Sequence, residues 1–129
     1  MNIPENLRYT EDHEWAAVDG NVATVGVTEF AVDQLGDITL VELPDVGAAV
    51  EAGAAIGVIE SVKAVSDLFS PLSGKVVGVN GDLEDAPEKV NEAPYGEGWM
   101  LKIEVEDPAQ VERLLDSEGY RKHLEGLEG

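Results

Sequence analysis

Lys63 is the single basic residue of "ESVKAVSD", residues 60 to 67. The preceding basic residue is Arg8, and eleven acids separate the two. An isolated lysine can serve as a solvated cation, as a nucleophilic amine, or as an acceptor for covalent modification. The amine route needs burial or a neighbouring cation to strip the proton. In sequence Lys63 has acids beside it instead, Glu60 and Asp67, so the pattern argues against Schiff-base chemistry.

Other reactive residues form no complete centre. His13 stands in "HEW", without the second histidine four positions on that zinc hydrolases use, and His123 is remote in sequence. No acid cluster has calcium-loop spacing, so no metal is expected. Serines lack a Gly-x-Ser-x-Gly elbow. The glycines of "GAAVEAG" are too loosely spaced for a dinucleotide fingerprint and lead into a strand pattern, which makes them turn residues. Asp12 and Glu14, placed on one strand face, have the types for acid and base work. Among 27 acids, however, such a pair is ordinarily just solvated.

Composition narrows the classes further. The 27 Asp and Glu against 8 Lys and Arg give a net charge of −19. Nucleic acids and anionic membranes repel such a chain, whereas partners with basic surfaces attract it. With no cysteine there is no disulfide, thiolate nucleophile or cysteine-based metal centre. Any thiol chemistry must come from an attached group. No apolar run approaches the roughly 20 residues of a membrane span. The start, "MNIPENLRYTEDHEW", resembles neither a signal peptide nor an organelle presequence. A cytoplasmic protein is expected, or a mitochondrial matrix one if a presequence was removed.

The elements that must position Lys63 are mostly strands. Asp19-Gly20 between Val18 and Val22 predicts a hairpin turn. Thr28 has the character of an N-cap for a short helix through Phe30, Val32 and Leu35, ended by Gly36. "DITLVELP", "AIGVIESV", "GKVVGVN" and "WMLKIEVE" read as strands. Asp107 and Pro108 open a C-terminal helical segment with Val111, Leu114 and Leu115 on one face. Ser117 is placed to cap one more turn, docked by Tyr120 and Leu124. "GDITLVE" from Gly36 is echoed by "GKVVGVN" from Gly74, and "VEAGAAIGVIE" more loosely by "VNEAP" and "WMLKIE". Two related halves of about forty residues predict two small interlocked sheets with approximate two-fold symmetry. Around Lys63 no turn residue stands out, and pattern alone allows one long strand there.

"ESVKAVSDLFSPLSGKV" resembles the lipoyl-attachment segment of the glycine cleavage system H-protein family. The likeness continues through "YTEDHEW", "VGVTEFAVDQLGDITLVELPDVG" and "VNEAPYGEGWMLKIE", nearly the whole chain. Related lipoyl domains carry Asp-Lys-Ala and biotin carriers Met-Lys-Met. Here Val62-Lys63-Ala64 follows Glu60-Ser61, the H-protein form.

The resemblance implies a mainly β, flattened barrel-sandwich hybrid of two quasi-symmetric sheets, with a short internal helix and a C-terminal helix. One domain, 1–129, is expected, with its core at about 22–106 and the helical segment at about 108–125. Lys63 would sit at a hairpin tip, amide-linked to lipoate by a lipoate ligase or lipoyl transferase. The implied role is a non-catalytic, monomeric carrier. It would take the aminomethyl group of glycine from the pyridoxal-phosphate decarboxylase (P protein) to the tetrahydrofolate-dependent aminomethyltransferase (T protein). Dihydrolipoamide dehydrogenase (L protein) would reoxidise the arm. By the same resemblance Glu14 and Asp67 would line a cleft for the loaded arm; the alternative for both is a solubilising surface charge. A lipoate relay and a cofactor-free interaction module are the rival functions.

Overall fold

Alternating apolar and polar residues along short valine-rich segments produce antiparallel strands, each with one face turned inward. The computed structural model describes residues 2–128. In chain order it has β1 (Arg8–Tyr9), β2 (Glu14–Asp19), β3 (Val22–Val27), α1 (Glu29–Leu35), β4 (Ile38–Glu42), β5 (Ala49–Val50), β6 (Ala55–Ser61) and β7 (Val65–Phe69). There follow β8 (Gly74–Val79), α2 (Asp82–Asp85), α3 (Lys89–Glu92), β9 (Leu101–Val105), α4 (Ala109–Arg113) and α5 (Ser117–Glu128). One sheet runs β1-β2-β3-β9-β8-β5 and the other β4-β6-β7. Inward residues of both sheets, Val25, Val41, Ile59, Leu68, Val76, Leu101 and Ile103 among them, share one core. This is the expected mainly β barrel-sandwich.

The repeat is visible in the pairing itself. β4 pairs antiparallel with β6 and β8 with β9, and each ladder skips one residue of its first strand. The skipped residues are Thr39 and Val77, each three positions after the repeat's leading glycine. Gly74 is required where the halves meet, because a Cβ there would run into the carbonyl oxygen of Glu104. A second apolar cluster, Ile3, Leu7, Tyr9, Trp15, Tyr120 and Leu124, fastens α5 to the N-terminal strands.

Local details depart from the sequence reading. The β2–β3 turn is Gly20-Asn21, since Asp19 already pairs with Val22, and Gly20 takes the left-handed φ of 64°. Thr28 caps α1 as expected, its hydroxyl accepting from Ala31 N. Ser117 is the first residue of α5 and not its cap; Asp116 Oδ1 accepts from Gly119 N at 2.8 Å. The helix runs 12 residues instead of one turn. Leu115 bridges to Tyr9 and separates it from α4.

Candidate functional site

Lys63 lies in the three-residue tip Val62–Ala64 joining β6 to β7, whose last ladder pair is Glu60 with Val65. The turn chemistry absent from Gly and Pro comes from Ser61. Its hydroxyl accepts from Lys63 N at 3.3 Å and Ala64 N at 3.1 Å, and donates to Ala64 O at 3.3 Å. The backbone closes the same loop, Ser61 N donating to Ala64 O at 2.8 Å. A serine just before a tight turn is a recognised way to satisfy turn amides, and it was the available signal here.

A second segment of the chain supports the tip. Val62 N donates to Asp37 O at 3.0 Å, in the segment that leads into β4. Gly36 there has φ 80°, and a Cβ on it would come within 3.4 Å of Lys63 Cε. The lysine stem therefore runs beside a bare stretch of backbone. Lys63 is exposed, as are its neighbours Val62 and Val65. The ion pairs among the described residues are Lys89–Asp82 and Lys122–Glu118, so neither Glu60 nor Asp67 holds the Lys63 ammonium.

Glu14 occupies a different environment from the one composition suggests. It is 2 % exposed, so it is no solubilising surface charge. Its Oε1 accepts from the Thr10 hydroxyl at 2.7 Å, and that hydroxyl accepts from Glu14 N at 3.1 Å. Burial pushes the carboxyl up to about 8; the Thr10 hydroxyl and the Phe69 backbone amide favour ionisation but do not offset it. Glu14 lines an open cavity of about 290 Å³ with Thr10, Asp12, Gly53, Ser70 and Arg113. Asp67 is exposed on β7, opposite Val58, and is not part of that lining. It lies two residues closer to the tip than Phe69. Asp12 does not share a strand face with Glu14, because His13 between them has φ 71° and breaks the extended alternation.

His13 is engaged structurally. Its Nδ1 is 2.8 Å from the Tyr120 hydroxyl, which is 2.7 Å from the Thr28 hydroxyl. Tyr120 is fully buried and stacks on Tyr9 at 4.7 Å. Burial and the nearby His123 lower the His13 pKa, which keeps the ring neutral for this network. Sequence spacing could not find it, since His13 and Tyr120 are 107 residues apart.

A stiff hairpin that lifts one exposed lysine from a two-sheet body defines a barrel-sandwich domain of the lipoyl-domain type. Residues 7–126 match the family model described as glycine cleavage H-protein. The chain belongs to the glycine cleavage H-protein family. A glycine cleavage system H protein of Anaeromyxobacter sp. (strain K) is 56 % identical over 128 residues, covering 99 % of this chain and 100 % of the relative. One from Bacillus cereus (strain AH820) is 56 % identical over 120 residues, 93 % of this chain and 94 % of its own. The crystal structure of a glycine cleavage system H protein from Mycobacterium marinum superposes with TM-score 0.87 at 39 % identity, covering 95 % and 98 % of the two chains.

Proposed function

We propose that Lys63 is the lipoyl-attachment residue and that the chain is the non-catalytic lipoyl carrier of glycine cleavage. It would serve the glycine decarboxylase, the aminomethyltransferase and dihydrolipoamide dehydrogenase in turn. The observation that carries this reading is the tip itself: an exposed lysine in no ion pair, on a turn fixed by Ser61 and Asp37. The residues fit the group, because acylating Lys63 displaces no internal contact. When attached, lipoate supplies the thiol–disulfide chemistry that a cysteine-free chain lacks.

The protein's own contribution is presentation. β6 and β7 hold the attachment point, so little ordering entropy remains to be lost when a partner binds the tip. Amide formation removes one positive charge and makes the body one unit more negative than −19. An acidic body is steered toward basic rims around partner active sites, and salt keeps those encounters brief. Glu14 and Asp67 are proposed to receive the cationic end of the loaded arm. A buried acid near neutrality releases its proton when an ammonium approaches, which strengthens the contact. We place this work in the cytoplasm, with the chain acting as a monomer.

The test is enzymatic lipoylation with a lipoate ligase, read by intact mass and peptide mapping. The expected outcome is a single adduct on Lys63 and none on Lys63→Arg. That variant should keep its circular dichroism and its stability within about 0.5 kcal/mol. An adduct on another lysine, or on Lys63→Arg, would overturn the assignment.

A further inference from the structure

We propose that Asn91, in the second half of the molecule, is a positioning residue for the Lys63 tip. This rests on the reading of Lys63 as the acylated residue. Asn91 belongs to α3, and its side chain is spent entirely on the Gly36–Ile38 segment. Nδ2 donates to Gly36 O at 2.8 Å, and Oδ1 accepts from Ile38 N at 2.8 Å. The two bonds bracket Asp37, whose carbonyl then accepts Val62 N at 3.0 Å. Gly36, one side of the bracket, also supplies the bare backbone beside the Lys63 stem.

The bracketed segment needs an outside support. Gly36 ends α1 at φ 80° and ψ −150°, a conformation open almost solely to glycine, and β4 begins only at Ile38. Without Asn91 the Gly36 carbonyl and the Ile38 amide would lose their side-chain partner, and Asp37 would be free to turn its carbonyl from Val62. Ser61 would still close the turn internally and stay paired with β4, so the hairpin would survive while its tip lost the Val62 contact that fixes it beyond that ladder. Asn91 thus sets where the lysine points, not whether the hairpin forms. The amide suits both bonds, and an ionised carboxylate cannot replace it, since one bond needs a donor and the other an acceptor.

The experiment compares wild type with Asn91→Ala and Asn91→Asp in ligase-catalysed lipoylation and in amide hydrogen exchange. Asn91→Asp has the same shape and retains the acceptor for Ile38 N, but faces Gly36 O with an oxygen. It is the variant to read should Asn91→Ala lose cooperative unfolding. The expected result is Val62 amide exchange faster by at least about tenfold, with β6 and β7 ladder amides unchanged. Lipoylation kcat should fall by about tenfold or more while KM stays within about twofold, because the docking surface is intact and the nucleophile is misaligned. Val62 exchange and kcat both equal to wild type would overturn the proposal. So would uniform acceleration across both strands, which marks a general stability role. If wild type itself accepts no lipoate, the Lys63 reading fails, and Val62 exchange still decides the brace.

Discussion

Replacing Glu14 by Gln should change stability little in mild acid and markedly above neutrality. Burial holds the Glu14 carboxyl at about 8 in the folded chain, against 4.5 for the free group. Between those values the folded state keeps a proton that the unfolded state has released. The contribution is therefore fully present below about 4.5 and lost as pH rises toward 8, the reverse of an ion-paired carboxylate. At about 1.36 kcal/mol per pH unit, the part of this window lying between pH 5 and pH 9 amounts to roughly 4 kcal/mol. Water entering the open cavity relieves some of it, so about 2–4 kcal/mol is expected.

Gln reproduces the neutral acid, accepting from Thr10 and having no proton to lose. The assay is urea unfolding of both proteins at pH 5, 7 and 9 with shared m-values. Relative to wild type, Glu14→Gln should be near neutral at pH 5 and more stable by about 2–4 kcal/mol at pH 9. Self-repulsion of the −19 body acts on both proteins and cancels in the difference. Curves that stay parallel within about 0.5 kcal/mol would refute the neutral-acid reasoning.

Three more substitutions probe the frame around the site. Tyr120→Phe removes the hydroxyl shared by His13 and Thr28, and should cost about 2 kcal/mol by leaving His13 Nδ1 without that partner and Thr28 Oγ1 with Ala31 N alone, seen as a melting temperature lower by about 6 °C. Gly74→Ala drives a methyl into the Glu104 carbonyl and should cost about 3 kcal/mol or more by denaturant titration. The same change at exposed Gly126, which has open space around it, should stabilise α5 by up to about 1 kcal/mol; equal effects at the two glycines would contradict the close approach.

The strands were legible because alternation is a local signal: "GKVVGVN" and "WMLKIEVE" needed only period-two reading, and the echo between Gly36 and Gly74 pointed to two related halves, though not to their matching bulges. Lys63 was legible as an anomaly of charge; the flanking acids argued against a nucleophilic amine, and the family resemblance chose between the two roles that remained. The residue pattern did not show the tip turn, which only the family resemblance implied, because Ser61 works through its hydroxyl, without the Gly or Pro that marks most turns. Glu14 was misjudged in one respect. In a chain with 27 acids each looks solvated, and only the fold, which buries Glu14, reveals a neutral-leaning carboxyl. Tyr120 and His13 meet across most of the chain, a coincidence no local window contains. The short α2 and α3 were also unreadable: four residues each carry too little periodicity.

The matched bulges at Thr39 and Val77 have a consequence for valency. Aligning Ile38 with Val76 aligns their ladder partners, Ser61 with Ile103, and hence Lys63 with Val105. In the first half that corner is a closed three-residue tip. In the second half it is where the chain arrives at Asn21 and departs after Val105, and Val105 N donates to Asn21 O across the gap. A two-fold body could have offered two equivalent handles. This one gives the second corner to its own thread and keeps a single closed tip, which under the proposed attachment at Lys63 means one load per molecule.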